Sequence, residues 1–213
     1  DTEEKNIELL EACGQGDVSK VKNLLETGAN AAFEHNVPGT WGAYDKVSPI
    51  HKALSAKENS SEIVALLLKN RASVNCKEEH YDWRGCGSGH SAFEIAMDKA
   101  KSTGNVDILR EFLKYNADPN QTSHRDIHSM RTDGRITQTL LTSAASSNNV
   151  EILKCLLEGG ADPNKTCSES IHNEYGTRRE TTESALHISA GGRNDEDAAK
   201  SVEVLLENGA DIN

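Results

Sequence analysis

The chain has 213 residues, of which 36% are hydrophobic, 4% aromatic and 27% charged, with a formal net charge of −11. That acidity works against general binding to nucleic acid or anionic lipid, because both are polyanions. The longest apolar run, Ile63-Val64-Ala65-Leu66-Leu67-Leu68, is far too short to span a bilayer, and the apolar residues scattered along the chain exclude full disorder.

In chain order, Asp1-Thr2-Glu3-Glu4-Lys5 lacks the apolar stretch of a signal peptide. Residues 7–32 carry a helical apolar stripe and the turn Gly28-Ala29-Asn30, behind a degenerate start. From residue 48 a pattern recurs. Its openings are Ser48-Pro49-Ile50-His51-Lys52-Ala53, Ser91-Ala92-Phe93-Glu94-Ile95-Ala96, Thr139-Leu140-Leu141-Thr142-Ser143-Ala144 and Ser184-Ala185-Leu186-His187-Ile188-Ser189. Each opening leads through a second apolar stripe to a common ending. The endings are Arg71-Ala72-Ser73-Val74-Asn75, Asn116-Ala117-Asp118-Pro119-Asn120, Gly160-Ala161-Asp162-Pro163-Asn164 and Gly209-Ala210-Asp211-Ile212-Asn213.

Within a unit, Ile50, Ala53 and Leu54 share one helical face, and Ile63, Val64, Leu66, Leu67 and Leu68 share another. Two short helices of this kind cannot bury their faces alone, so the units must stack. Small residues at Ala53, Ala96, Ala144 and Ser189 let the first helices approach closely. Gly16, Asn59, Gly104 and Asn148 stand where the turn between helices needs a left-handed residue; Gly28, Asn116, Gly160 and Gly209 stand where the exit from the second helix needs one. Arg71 occupies that exit position in the second unit, where a left-handed backbone costs on the order of 1 kcal/mol.

The openings and the G-A-D-x-N endings resemble the ankyrin repeat family across essentially the whole chain. The resemblance implies an all-α solenoid of stacked helix-turn-helix repeats with extended β-hairpin finger loops. It places one domain over 1–213, with units 1–47, 48–90, 91–138, 139–183 and 184–213. The spacing departs from the family: Ala12, Ala53, Ala96, Ala144 and Ser189 lie 41, 43, 48 and 45 residues apart, against a family period of about 33. Most of the surplus falls between the end of one unit and the opening of the next, where the family carries its finger. A smaller surplus, at 55–61, 98–106 and 191–199, is expected in the turns between helices. Insertions at one topological position line one edge of a solenoid, so the long fingers are expected to carry what is specific about function.

Six of the nine aromatics lie in or beside the fingers: Phe33, Trp41, Tyr44, Tyr81, Trp83 and Tyr175. A histidine recurs 11 to 13 residues before each opening, at His35, His80, His128 and His172. It is expected to hydrogen-bond within the hairpins, and His51 and His187 belong to the openings as structural residues. The third finger is locally basic, with His124, Arg125, His128, Arg131 and Arg135 against Asp126 and Asp133, which admits an acidic peptide or a phosphate. The expected partner-binding residues are Trp41, Tyr44, Tyr81, Trp83, Arg84, Arg131, Tyr175 and Arg178, because aromatic and Arg side chains dominate interface energetics. Packing from finger to finger is the competing explanation for the aromatics.

No nucleophile elbow, phosphate loop or zinc-protease motif is present in the sequence, so no catalytic residue and no cofactor are assigned. Cys76, His80, Cys86 and His90 form a four-ligand set in the second finger, but its spacing matches no familiar zinc motif, and no metal is assigned. The five cysteines are odd in number, which suits a reducing, intracellular and cytoplasmic setting. The reading is a protein-binding module with a protein or peptide partner, without general nucleic-acid binding or membrane insertion, and monomeric as an isolated domain. Small-ligand sensing between aromatic fingers, for example of a nucleotide, and a spacer role in a longer array are the alternatives. The chain stops at an ending motif without a polar cap, so further repeats are expected beyond it.

Overall fold

The computed structural model describes residues 1–39, 43–81, 87–128, 132–173, 178–191 and 196–212, with the backbone alone at 81, 87, 88, 125–128, 132, 173 and 178. It divides into two compact units, Asp1–Ala117 and Asp118–Asn213.

The first unit holds three helix pairs: α1 (Thr2–Gln15) with α2 (Val18–Glu26), α3 (Pro49–Ser55) with α4 (Ser60–Lys69), and α5 (Ala92–Thr103) with α6 (Asp107–Lys114). Several of these helices start at a side-chain cap or a proline. The Asp17 side chain accepts the Lys20 N–H at 2.9 Å, and Pro49 sits in the first turn of α3, where its missing N–H costs nothing. The first helices pack in series, α1 on α3 and α3 on α5; α2, α4 and α6 do the same. Their shared core contains Leu9, Ile50, Ile63, Leu67, Met97 and Leu109, with Phe93 and Phe112 stacked at 5.5 Å between ring centroids.

The second unit repeats the plan with α7 (Leu140–Ser146), α8 (Val150–Glu158), α9 (Ala185–Gly191) and α10 (Glu196–Glu207). Here α7 packs on α9 and α8 on α10, around Leu141, Ile152, Leu153, Leu156 and Leu205. The closing asparagines fasten one ending to the next. Asn120 accepts the Asp162 N–H at 2.8 Å through Oδ1 and donates through Nδ2 to the Gly160 carbonyl at 3.2 Å. Asn164 repeats both bonds on Asp211, at 2.7 Å, and Gly209, at 3.1 Å.

Every position expected to be left-handed is so, with φ from +49° at Asn148 to +97° at Gly28, and Arg71 at +67°. Residues 56–59 form the turn between α3 and α4 as expected, but the surplus at 98–103 is placed differently. Residues 98–103 do not loop out: they lengthen α5 to 12 residues, against seven in α3 and α7. The segment Ala96-Met97-Asp98-Lys99-Ala100-Lys101 is mostly good helix formers, and Gly104 ends it at φ +72°. The extension has a use, because Lys99 Nζ donates to the carbonyls of Leu54 at 2.8 Å and Ala56 at 2.5 Å, closing the end of α3. Burial lowers the Lys99 pKa.

The fingers form β1 (His35–Pro38), β2 (Tyr44–Val47), β3 (Glu79–Tyr81) and β4 (Gly87–Ser88) in the first unit. The second unit has β5 (Thr122–His128), β6 (Thr132–Thr139), β7 (Cys167–Asn173) and β8 (Arg178–Glu183). With these eight strands among the described residues, "all-α" fits only the helical layer.

Replacing Arg71 with Gly relieves the left-handed strain, offset in part by glycine's greater unfolded-state entropy. It should raise stability by roughly 0.5–1 kcal/mol, read as an increase in the urea midpoint at constant m.

Candidate binding surface

Each finger joins the helix that follows it through the same device. The helix-capping hydroxyl bonds the residue three places on, and the chemistry of that residue varies. Ser48 Oγ meets His51 Nδ1 at 2.7 Å, and Ser184 Oγ meets His187 Nδ1 at 2.7 Å. Ser91 and Glu94 form a reciprocal capping box, as do Thr139 and Thr142. His51 is almost fully buried. Burial pushes its pKa from 6.5 down to about 4, against the opposing pull of Glu34 and the Cys76 backbone.

Within each unit, the two fingers are hydrogen-bonded to each other. The first unit has an antiparallel sheet in the order β1-β2-β3-β4, and the second has one in the order β5-β6-β7-β8. The joints between fingers are β2 with β3 and β6 with β7. Residues facing one another in register share a face, which sorts the second sheet into two sides. Ile136, Glu169 and Thr181 lie on one side with Gly134, Ile171 and Arg179, and most of these are half-buried. Thr137, Ser168 and Thr182 lie on the other with Asp133, His172, Arg135, Ser170 and Glu180. That side is polar throughout and mostly exposed.

The recurring histidine acquires a partner here that sequence alone did not indicate. In the first sheet His80 faces Asp45, and its Nδ1 contacts Asp45 Oδ1. In the second, His172 faces Asp133 across the equivalent joint. Each pairs the first strand of one finger with the second strand of the finger before. The histidine's recurrence was visible in the sequence. The aspartates stand at different distances from their openings, so only the strand register identifies them. Lys46 bridges a joint too, at 2.8 Å from Glu34 and 3.9 Å from Glu79.

Of the expected contact residues, Tyr44 is half-buried in β2 and faces Tyr81 in register, which puts the two positions side by side across the first joint. Arg178 opens β8 opposite His172. Trp41, Trp83, Arg84, Arg131 and Tyr175 lie outside the described residues. In the third finger, Asp126 and Arg135 are register partners within the hairpin.

Two residues of the four-ligand set have side-chain partners of their own. The Cys76 thiol is buried, donates to the Ser73 carbonyl at 3.1 Å and lies 3.7 Å from Ser48 Oγ; burial raises its pKa. His80 is on Asp45, the His90 carbonyl accepts the Glu78 N–H at 3.0 Å, and Cys86 lies outside the described residues. Among the described residues no three His, Cys, Asp or Glu side chains gather as a metal site, and no helix is long and apolar enough to cross a membrane. An open cavity of about 620 Å³ lies at the α7–α8 turn, lined by polar residues including Asn148, Glu151, Lys154, Asp197 and Lys200 and by none from the finger strands.

A family model described as ankyrin repeats (3 copies) matches residues 9–123 and again 97–213. Comparison with curated proteins gives no match.

Two outcomes follow from this geometry. A Cβ on Gly134 would lie 2.5 Å from the Ser170 carbonyl oxygen, so Gly134→Val must push β6 from β7. It should cost roughly 1–3 kcal/mol, with faster hydrogen exchange at the β6–β7 amides. His51 is held neutral in the fold, so its contribution to stability is complete above pH 6.5 and declines as pH falls toward about 4. The loss should reach at most about 3 kcal/mol. His51→Gln should flatten the fall in urea midpoint across that window.

Proposed function

The chain belongs to the ankyrin repeat family, whose repeats generally mediate protein–protein interaction without enzymatic activity, and we propose that this one binds a protein or peptide partner through its finger sheets. The observation that carries this reading is the joining of adjacent fingers into four-stranded sheets. A lone two-stranded hairpin is marginal in water, whereas four strands hold side chains at set spacings. The second sheet turns a wholly polar side to solvent. The repeat units are 1–47, 48–90, 91–138, 139–183 and 184–213. The contact residues are Trp41, Tyr44, Tyr81, Trp83, Arg84, Arg131, Tyr175 and Arg178. The −11 charge supports a partner other than nucleic acid. The free thiols of Cys13, Cys76, Cys155 and Cys167 support a reducing, cytoplasmic setting.

Peptides selected from a displayed random library against the whole chain supply a defined probe. Calorimetry with Trp41→Ala, Tyr44→Ala and Trp83→Ala should show each losing more than about 1 kcal/mol of binding while keeping the parent melting temperature. Selected peptides that bind all three variants as tightly as the parent would overturn the assignment to the fingers. Variants that lose binding only together with their fold would show the aromatics to be packing residues.

A further inference from the structure

Strand register in the second sheet brings together three residues that stand far apart in the chain. His128, the last residue of β5, faces Asp133 of β6, and Asp133 in turn faces His172 of β7. The three therefore form a row across adjacent strands, near the tips of the third and fourth fingers. Residues in register share a face, and here it is the polar one. Asp133 and His172 are exposed on it, and His128 is placed by its backbone. The row needs only the ladders β5·β6 and β6·β7.

The first sheet shows what two members of such a row do. There His80 faces Asp45, and its Nδ1 contacts Asp45 Oδ1. A histidine and an aspartate in register across a finger joint thus bring their side chains together. The other register partner of Asp45 is Val37, which has no ligand atom. Asp133 differs in having a histidine on either side. Neighbouring strands lie about 4.8 Å apart, so the two histidine positions are about 10 Å from each other with the aspartate midway. Imidazole reaches further from the backbone than the carboxylate of Asp. Two imidazoles and a short carboxylate between them suit a cation held above the middle strand. Zinc takes nitrogen and carboxylate oxygen at about 2.0–2.2 Å, and three protein ligands leave it one position for water. The imidazoles favour a transition metal over magnesium or calcium, which prefer oxygen alone. Arg135 and Arg178 stand on the same face, and their charge keeps the affinity modest.

We propose that His128, Asp133 and His172 form a binding site for a divalent transition-metal ion, which ties the tip of the third finger to the fourth. The site rests on strand register and uses none of the residues assigned to partner binding. It is also separate from the four-ligand set of the second finger.

Zinc is the probe. Calorimetric titration of the whole chain, first treated with chelator and then exchanged into a non-coordinating buffer, should show one zinc bound with a Kd in the micromolar range. His128→Asn, Asp133→Asn and His172→Asn should each weaken binding at least about tenfold, with circular dichroism melts in the absence of metal establishing that they are folded. The double variant His80→Ala/Cys86→Ser disables the second-finger set and should bind zinc as the parent does. Cobalt in place of zinc should give ligand-field absorption without a thiolate charge-transfer band. Val37→His gives the first sheet the same row, with Asp45 and His80, and should add a second bound zinc; this gain does not depend on the folding of the other variants. The proposal is overturned by a parent chain that takes up no zinc at about 100 μM, or by zinc binding that the folded His128 and His172 variants retain in full. Binding lost in the His80/Cys86 variant, thiolate charge transfer with cobalt, or a Val37→His chain that gains no second zinc would equally overturn it.

Discussion

A β-hairpin projecting from a helical stack has two edges to satisfy and little core of its own, and hairpins alone are marginal in water. Pairing between neighbouring fingers satisfies one edge of each hairpin and enlarges the sheet to four strands. At the joints β2·β3 and β6·β7, the second strand of one finger becomes the inner neighbour of the next finger's first strand. The close approach at Gly134, the contact of His80 with Asp45 and the bridging position of Lys46 all depend on those joints. So does the sorting of residues into a half-buried side and a polar side. The exposed His80–Asp45 contact adds little stability by itself, because water screens it. The backbone ladder holds the fingers together, and the side chains decorate it.

The helices beneath supply the spacing. Each pair buries its stripe only against the next pair, so inter-strand register is tied to helix packing through a short base where the hairpin ends and the capping residue begins. His51 shows how tight that base is. It replaces the acidic partner of a capping box with an imidazole, buried and held neutral beside Ser48 and Cys76. Glu94 and Thr142 fill the corresponding place in α5 and α7 with different chemistry and the same reach. Bases and joints therefore maintain the geometry, while the polar side of the second sheet is mostly exposed.

Much of this was legible before the structure. The apolar stripes marked the helix pairs, and the left-handed positions followed from Gly and Asn at repeated places, even where Arg71 stands in for them. The surplus at 98–103 was misplaced because its position in the repeat pointed to a turn. Local helix propensity and the bond from Lys99 to α3 instead made it another turn of helix. The candidate contact residues were chosen by type and location. Of these, Tyr44 and Tyr81 are brought to facing positions and Arg178 to the start of an edge strand.

The sequence by itself determined the repeat, the helix pairs, their caps and the existence of long hairpins, because each depends on residues close together in the chain. Only the tertiary structure decided which strand pairs with which, that Asp45 meets His80 and Asp133 faces His172, and that Asn120 and Asn164 fasten one ending to the next. These contacts join residues 35 to 47 positions apart, and a strand moved by one residue would turn every side chain to the opposite face. Local pattern cannot choose among such registers, whereas helix packing and the approach of one backbone to another can.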